Sequence, residues 1–375
     1  MDFDLSDEQR MLQDSVRRLL AEQCSFEQRH AMHADPAKAA ALWRQFAELG
    51  LLGLPFTDAD GGFGGGAVET CIVMQELGRA LAPLPYFSTV VVCGALLRAA
   101  ASADVRARLV PAIAAGDLTL AFAHSETQAR YDLADVRTTA RREGAGWVLD
   151  GDKRFVLGGD TAQQLIVSAR VGSDIALFLV DAAQPGVSRR GYAMQDGGRC
   201  ADLRLSALRV ADDAMLGEPG AALAAIERAT DEAIAALCAD SVGAMAQALD
   251  LTMEYLKVRK QFGVAIGSFQ ALQHRAVDML VATEQARSMA LYATMMCGDT
   301  DAGERRRAIS AAKVQVNNSG RFVTQEAVQL HGGIGMTEEC QVGHYLRHMT
   351  MNDLMFGDTA HHLRRLARAG GLIAA

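Results

Sequence analysis

The chain has 375 residues, of which 50% are hydrophobic and 22% are charged, and its formal net charge is -8. A chain this long and this apolar can build two or three domains around a large core, and its composition argues against wholesale disorder. The acidic balance also argues against nucleic-acid binding, because there is no Lys/Arg excess to neutralise phosphates.

The seven cysteines are scattered and form no Cys-x-x-Cys pair, so the sequence predicts neither a metal site nor a redox motif. The N-terminal residues Met1-Asp2-Phe3-Asp4 are acidic and carry no signal-peptide pattern. No apolar run reaches the ~20 residues that a membrane span needs. We therefore expect a cytoplasmic protein that does not enter a membrane.

Residues 1–117 are predicted to form a helical domain. Ser6 and Gln9 have the spacing of a capping box, and the apolar residues that follow repeat at helical spacing. Further helices are predicted at Ala39–Glu48, Val68–Leu81, Tyr86–Ala99 and Val105–Ala115.

Residues 118–220 are predicted to form a β domain, because short runs of β-prone apolar residues replace the helical pattern. Glu143-Gly144-Ala145-Gly146 is typical of a hairpin turn. The predicted strands include Trp147–Leu149, Leu165–Val167 and Ile175–Val180.

Residues 221–375 return to helical spacing, with one very long helix after Gly220 and two more near Phe269–Cys297 and Ala302–Leu330. Long helices rich in Ala and Met need partners to bury their faces, so we expect a four-helix bundle with oligomer contacts. The sequence thus predicts an α+β fold, mostly α, with a helical N-terminal domain, a barrel-like β domain and a C-terminal bundle.

Two motifs carry a resemblance to the acyl-CoA dehydrogenase family. The first runs from Tyr255 through Arg259-Lys260-Gln261-Phe262-Gly263 to Gln273-His274, and the second is Gln329-Leu330-His331-Gly332-Gly333-Ile334-Gly335. The order of helical and β segments matches that family over essentially the whole length. In detail the chain is similar to the small subunit of bacterial pimeloyl-CoA dehydrogenases, a heteromeric branch of the family.

The resemblance implies that FAD is the cofactor and that these two motifs reach a neighbouring subunit's flavin. It assigns this role to Arg259, Phe262, Gln329 and Gly333. The chemistry is suitable: a guanidinium offers a planar set of donors for a pyrophosphate, and Phe262 can cover the adenine or ribose. Gly332 and Gly333 allow close backbone approach to a ligand.

The resemblance implies a second set of residues around the flavin ring. Ser125 corresponds to a hydroxyl residue that bonds the pyrimidine, and Phe155 to an aromatic that packs on the ring. The chain departs from the family pattern at three nearby places: Leu157 replaces a threonine, Ile234 an arginine, and Arg130-Tyr131-Asp132 a Gly-Ser-Asp motif.

The catalytic base is the main departure. The segment Phe356-Gly357-Asp358-Thr359 has glycine where the resemblance implies a glutamate, and Thr359, which the family uses to bind flavin, fixes the register. Removal of a thioester α-proton needs a positioned carboxylate, and general-base catalysis is typically worth ~10²–10⁴-fold. Asp358 and Glu232 are the candidate substitutes in this chain.

Three hypotheses follow. In the first, which we favour, the chain completes the flavin site of a homologous catalytic large subunit in a heterotetramer. In the second, it is a homotetrameric enzyme that uses Asp358 or Glu232 as the base. In the third, it is a structural subunit without flavin. The resemblance further implies an acyl-CoA substrate, in particular a medium-chain dicarboxylyl-CoA such as pimeloyl-CoA, and an electron-transferring flavoprotein as acceptor. Arg130 and Arg154 are candidates to meet the distal carboxylate of a diacid.

Overall fold

The computed structural model describes residues 5–370 of the chain. These residues separate into two compact units, each built from several stretches of sequence. The first, here called the helical unit, comprises the described parts of Met1–Asp35, Ala67–Pro83 and Ile234–Ala375. The second, here called the mixed unit, comprises Pro36–Gly66 and Leu84–Ala233.

Among the described residues, the helical unit is built from seven whole helices and from most of the long helix α7, which begins in the mixed unit. Its members are α1 Asp7–Gln23, α2 Phe26–Ala34, α4 Ala67–Ala80, α7 Ala222–Val258, α8 Gln270–Met296, α9 Ala302–His331, α10 Gln341–Leu354 and α11 Thr359–Arg368, of which α7 joins this unit from Ile234. The predicted capping box is confirmed: Gln9 N donates to Ser6 Oγ (3.2 Å), and Ser6 N donates to Gln9 Oε1 (3.0 Å).

Helices α4 and α7 cross at unusually close range. A Cβ atom on Gly78 would collide with the backbone carbonyl oxygen of Asp240, and one on Gly243 would collide with that of Gln75. Because each helix contributes a glycine at the crossing, the two backbones approach without side chains between them.

The bundle core consists mainly of alanine, methionine and small apolar side chains from α7 to α10. Met245, Met279 and Met349 are almost fully buried there. The Met349 side chain fills the space beside Gly320 on α9. Small residues at the contacts allow these long helices to pack closely.

The mixed unit contains an eight-stranded sheet, short helices and the first turns of α7. The other helices are α3 Pro36–Glu48, a π-helix Phe87–Cys93, α5 Gly94–Ala100 and α6 Ala103–Ala114. The strands are β1 Leu120–Ala123, β2 Thr139–Glu143, β3 Gly146–Leu157, β4 Gln164–Val171, β5 Asp174–Asp181, β6 Val187–Ala193, β7 Arg199–Ala211 and β8 Met215–Leu216.

The sheet has the order β6-β7-β3-β2-β4-β5-β8, with β1 parallel to β4. Glu143 pairs with Gly146 across the β2–β3 turn, which confirms the predicted hairpin. The inward face packs Trp147, Leu149, Leu165 and Phe178 into one core, and the other members of this cluster are also small or apolar.

Two details of the fold differ from the sequence prediction. Helix α2 was not predicted, because nine residues give too short an apolar repeat to recognise. Tyr86–Ala99 was predicted as one ordinary helix, but it begins with the π-helix Phe87–Cys93. Residues 88–93 are all buried, so the segment has no alternation of buried and exposed positions. Without that alternation, the sequence does not distinguish a π-helix from an α-helix.

The element order confirms the predicted α+β class: helices up to Ala114, mainly strands between Leu120 and Leu216, and helices from Ala222 onward that are interrupted by one short hairpin at 260–265. The domain boundaries at residues 117/118 and 220/221 stay predictions. Within residues 5–370, α7 alone is long and apolar enough by composition to cross a membrane, and 78% of its qualifying window is buried inside the protein. A buried core helix meets the same criteria, so this is weak evidence for a membrane span.

Candidate functional site

The two sequence motifs meet in the helical unit through a stacked ring pair. Tyr255, near the end of α7, stacks on His331, the last residue of α9, with ring centroids 4.3 Å apart. His331 is buried, which lowers the pKa of its imidazole, and its Nδ1 lies 2.8 Å from Ala327 O. A neutral ring is therefore favoured, and it donates from Nδ1 to that carbonyl.

A short hairpin, here called the Phe262 arm, follows α7. It consists of Arg259 and the strands β9 Lys260–Gln261 and β10 Val264–Ala265 around a turn at Phe262-Gly263. Phe262 is 92% exposed and has a positive φ of 53°, which is uncommon for an aromatic residue. The backbone of Arg259 is fixed at both ends, since its N–H donates to Tyr255 O and its carbonyl accepts from Ile266 N, each at 2.8 Å.

Arg259 itself is exposed, and within residues 5–370 its guanidinium makes no hydrogen bond or ion pair.

The end of α9 presents exposed backbone at the second motif. Gly332 has φ of 64° and its N–H donates to Gln329 O. In the described part of the chain, no atom lies within 4 Å of a Cβ built on either Gly332 or Gly333. This glycine pair is therefore open to an approaching ligand.

In the mixed unit the structure brings Ser125 and Phe155 together. Arg154 N donates to Ser125 O at 2.8 Å, so the exposed Ser125 lies beside the β3 residue that precedes Phe155. Phe155 has φ of 53° within an irregular part of the β3–β7 pairing. A bulky residue with positive φ is strained, and such strain concentrates at functional positions.

Asp202 on β7 holds this irregular segment. Its carboxylate accepts from Arg154 Nη1 at 2.8 Å, from Tyr192 OH at 3.2 Å and from Phe155 N at 3.4 Å. Burial opposes ionisation, but these donors outweigh it and lower the pKa of Asp202. Arg154 is consequently engaged by Asp202.

Behind Ser125 lies a fully buried ion pair. Lys153 Nζ donates to Glu126 Oε1 at 2.8 Å, to Ser168 Oγ at 3.1 Å and to His124 O at 3.2 Å. Burial lowers the pKa of Lys153 to about 8. Burial alone would raise the pKa of Glu126, but the charge and hydrogen bond of Lys153, together with Thr138 and Gln128, lower it to about 2.

Gly357 in the helical unit has a backbone that suits only glycine. It is buried with φ of 116°, and Phe356 before it has φ of 57°. A Cβ at Gly357 would lie 2.6 Å from His362 Nε2 and 2.7 Å from His361 Cδ2. His362 is fully buried, with Nδ1 3.1 Å from Ser310 Oγ and Nε2 3.2 Å from Phe356 O. Burial lowers the pKa of His362 to about 3, so the ring is neutral.

The next two residues, Asp358 and Thr359, have defined structural partners. Asp358 is the N-cap of α11, and its Oδ1 accepts from His361 N at 2.6 Å. Thr359 N and Oγ1 both lie within hydrogen-bond distance of Asp353 Oδ1, at 3.3 and 3.2 Å.

Glu232, on the part of α7 in the mixed unit, is held by two arginines. Arg98 Nη2 donates to Glu232 Oε2 at 2.5 Å and Arg228 Nε donates to Oε1 at 3.2 Å. Both carboxylate oxygens are therefore engaged. The following residue, Ala233, is fully buried and has no group that could act as a base.

Sequence reasoning missed the supporting roles of Tyr255, His331 and Asp202. Tyr255 and His331 stand inside the two recognised motifs, one in each. A contact between their rings could therefore have been predicted from the motifs. Asp202 had no such signal, because its link to Phe155 depends on the pairing of β3 with β7.

Three family models match the chain in consecutive stretches. They describe the acyl-CoA dehydrogenase N-terminal domain over residues 6–117, the middle domain over residues 121–207 and the C-terminal domain over residues 222–371. The chain belongs to the acyl-CoA dehydrogenase family. This membership confirms the predicted enzyme class, an oxidoreductase acting on a CH–CH bond, and FAD as the cofactor.

Individual relatives support the same assignment. Acyl-CoA dehydrogenase FadE12 of Mycobacterium tuberculosis is 30% identical over 323 residues, which is 83% of each chain. The probable acyl-CoA dehydrogenase YngJ of Bacillus subtilis is 27% identical over 100% of both chains.

Solved structures show the same fold. A variant of a protein named as the Tcur3481-Tcur3483 steroid ACAD has a TM-score of 0.87 and 31% identity over 97% of each chain. A glutaryl-coenzyme A dehydrogenase in complex with glutaryl-CoA has a TM-score of 0.89 at 23% identity, covering 100% of this chain and 98% of that one. At that identity the second match supports the fold alone.

Proposed function

We propose that this chain is the non-catalytic subunit of an FAD-dependent acyl-CoA dehydrogenase, and that it completes the flavin site of a homologous catalytic subunit. In this proposal the two kinds of chain form a cytoplasmic heterotetramer. The substrate is an acyl-CoA thioester, and an electron-transferring flavoprotein accepts the electrons.

The observation that carries the proposal lies at Gly357, which we assign to the position of the family's catalytic glutamate. A side chain there would meet His361 and His362, and φ of 116° disfavours any residue but glycine. The position therefore lacks a carboxylate and also lacks the space and the backbone conformation for one. A chain that performed proton abstraction at this position would need both.

The two alternative bases are already engaged. The Asp358 carboxylate caps α11, and a capping carboxylate is aimed at backbone N–H groups rather than at a substrate. The Glu232 carboxylate has a guanidinium on each oxygen, so its acceptor sites are already in use. These contacts favour structural roles for Asp358 and Glu232.

The Phe262 arm and the glycine pair Gly332-Gly333, in contrast, are free to serve another chain. Arg259 presents an unused planar set of donors, Phe262 an exposed ring, and Gly332-Gly333 unobstructed backbone. These groups fit a pyrophosphate, an adenosine ring system and the backbone approach of a dinucleotide. The Tyr255–His331 stack holds the two motifs next to each other, so we assign Arg259, Phe262, Gln329, Gly332 and Gly333 to FAD of the catalytic subunit.

The residues around this chain's own ring position fit the flavin less well. Ser125 is exposed and can offer a hydroxyl, and Phe155 lies next to it, but Leu157 has no donor. When bound in the enzyme, FAD supplies the acceptor for the hydride that leaves the thioester β-carbon. The catalytic subunit must supply the base for the α-proton, while this chain contributes binding groups.

Two substrate classes are consistent with the proposal. The resemblance to pimeloyl-CoA dehydrogenases favours a medium-chain dicarboxylyl-CoA, whereas the relative with 31% identity is named as a steroid ACAD. The Arg154 guanidinium is bound to Asp202, so of the two arginines first considered for a distal carboxylate, Arg130 is the stronger candidate. Turnover of pimeloyl-CoA against a steroid side-chain thioester by the assembled complex distinguishes the two classes.

The test uses the full chain, tagged and purified together with its companion. We expect Arg259→Ala to remove most of the bound FAD from the complex without dissociating it. Lys260→Ala, the neighbouring exposed cation on the same arm, is the matched control and should keep full occupancy. Full FAD occupancy in the Arg259→Ala complex would refute the assignment of this arm.

The alternatives predict different results for the chain purified alone. A homotetrameric enzyme would be yellow and would turn over acyl-CoA, with loss of activity in Asp358→Asn or Glu232→Gln. A flavin-free structural subunit would leave the occupancy of the complex unchanged in every arm variant. The proposed subunit has negligible turnover alone and gains flavin only with its companion.

A further inference from the structure

A cavity lined by several charged side chains lies in the helical unit and shares no residue with the assignments above. Its volume is about 350 Å³, and it opens between α1, α2, α4, α7 and α10. This volume is at the lower end of the range found for small-ligand sites. Its charged lining includes Arg17, Arg29, Glu76 and Arg79.

Arg29 is the buried arginine of this cavity. Its residue is 4% exposed, its Nη2 lies 2.9 Å from His344 Nδ1, and its guanidinium lies over the Phe26 ring at 5.3 Å. His344 Nε2 lies 2.9 Å from Glu338 O, so a neutral ring donates there. Its Nδ1 is then an acceptor that Arg29 shares with Arg347 Nη2, which also lies 2.9 Å away. The Glu338 carboxylate is bound to Arg347.

The other two arginines of the cavity are neutralised. Arg17 makes a double hydrogen bond with Glu76 at 2.8 and 3.0 Å, and Arg79 Nη2 lies 2.6 Å from Asp250 Oδ2. Within residues 5–370, no carboxylate bonds to Arg29. A buried guanidinium that has only an imidazole acceptor and a ring face keeps donors and a full charge available.

The rest of the lining combines an apolar part with the polar residues Ser25, Gln247, Gln341 and Tyr345. Leu20, Ala21, Cys24 and Leu81 form its walls together with Phe26. The one further carboxylate of the lining, Glu27, lies within hydrogen-bond distance of Ser25 Oγ at 3.3 Å. A ligand that fits this arrangement has one oxyanion and a short hydrocarbon body.

We propose that the Arg29 cavity binds a small organic oxyanion, a carboxylate or phosphate on a short alkyl chain, with the oxyanion on Arg29 and the alkyl chain against Phe26 and Leu20. The guanidinium suits either oxyanion because it offers paired donors. The site is independent of the flavin assignment, because it shares no residue with the Phe262 arm or with the segment around Gly357.

The experiment is a calorimetric titration of the full chain, in its assembled complex, with hexanoate, hexyl phosphate and hexanol. We expect hexanoate or hexyl phosphate to bind and hexanol not to bind, and the tighter of the two anions identifies the oxyanion. Arg29→Gln should weaken that binding about tenfold or more, since it removes a charged hydrogen-bond donor. Arg18→Gln is the matched control, as it removes an exposed arginine of α1 that does not line the cavity.

Ala21→Phe provides a second test that leaves all the polar contacts of Arg29 in place. It should fill the cavity and abolish binding even if Arg29→Gln proves too unstable to measure. The proposal is overturned if neither anion binds, if hexanol binds as tightly as the anions, or if anion binding survives both Arg29→Gln and Ala21→Phe. FAD content is measured in the same samples, so loss of flavin and loss of anion binding are read separately.

Discussion

The Nε2 atom of His362 lies 2.6 Å from the point where a Cβ atom of Gly357 would stand. His362 cannot move aside freely, because Ser310 Oγ and the Phe356 carbonyl engage both of its ring nitrogens. Gly357 and His362 therefore form a matched pair: the absence of one side chain makes room for the buried ring of the other. The lack of a carboxylate at residue 357 is thus built into the packing around it.

Gly357→Glu is expected to destabilise the protein and to give the isolated chain no dehydrogenase activity. The strained φ alone costs about 1–3 kcal/mol, and the steric conflict with His362 adds to it. Gly144→Glu is the control, because Gly144 also has a positive φ, of 60°, but no atom of residues 5–370 lies within 4 Å of its Cβ position. Urea unfolding of both variants measures the difference. Unchanged stability, or clear turnover by Gly357→Glu alone, would contradict this account.

Asp358 variants separate a helix cap from a catalytic base. Asp358→Ala should reduce the free energy of unfolding by about 1 kcal/mol, whereas Asp358→Asn should cost much less, since asparagine also caps helices well. Neither variant should change the turnover of the assembled complex. If Asp358→Asn abolished turnover while stability stayed the same, Asp358 would be the base.

Glu232 variants test the second alternative base. Glu232→Gln weakens the contacts with Arg98 and Arg228, and for this partly exposed group we expect a loss of about 1 kcal/mol of unfolding free energy. Turnover of the complex should not change. Glu254→Gln, on the same helix but 69% exposed at its side chain, is the control and should be neutral. A Glu232→Gln complex that is stable but inactive would argue for Glu232 as the base.

The buried Lys153–Glu126 pair predicts how stability depends on pH. The pKa of Glu126 falls from 4.5 to about 2 on folding, so its stabilising contribution is present above pH about 4.5 and is lost as the pH falls towards 2. We expect this contribution to reach about 3 kcal/mol at most. Unfolding free energies measured between pH 6 and 2.5 should show a shallower acid slope in Glu126→Gln/Lys153→Met than in the wild type. An identical slope in both proteins would show that Glu126 is not linked to the acid transition.

Much of the fold could be predicted from the sequence. The capping box at Ser6, the hairpin at Glu143–Gly146 and the three long C-terminal helices depend on local patterns, and local patterns are what a sequence displays directly. The π-helix Phe87–Cys93 could not be distinguished from an α-helix, because residues 88–93 are all buried and show no polar face. Helix α2 was too short to give a repeat.

The site was predictable in its residue types but not in its contacts. The motifs around Arg259 and Gly333 were recognisable, yet their link through Tyr255 and His331 depends on two helix ends that lie far apart in the sequence. The occupation of the space beside Gly357 by His362 was equally hidden, since it follows from a turn with two successive positive φ angles. Such long-range and conformational relationships need coordinates.

The most direct test counts FAD per polypeptide in the complex purified through a tag on this chain, together with acyl-CoA turnover of the chain alone. If the Phe262 arm binds a companion's flavin and no reaction takes place at Gly357, we expect about one FAD for each pair of unlike chains. We also expect negligible turnover by the lone chain. One FAD for every copy in a homo-oligomer that oxidises acyl-CoA would contradict it.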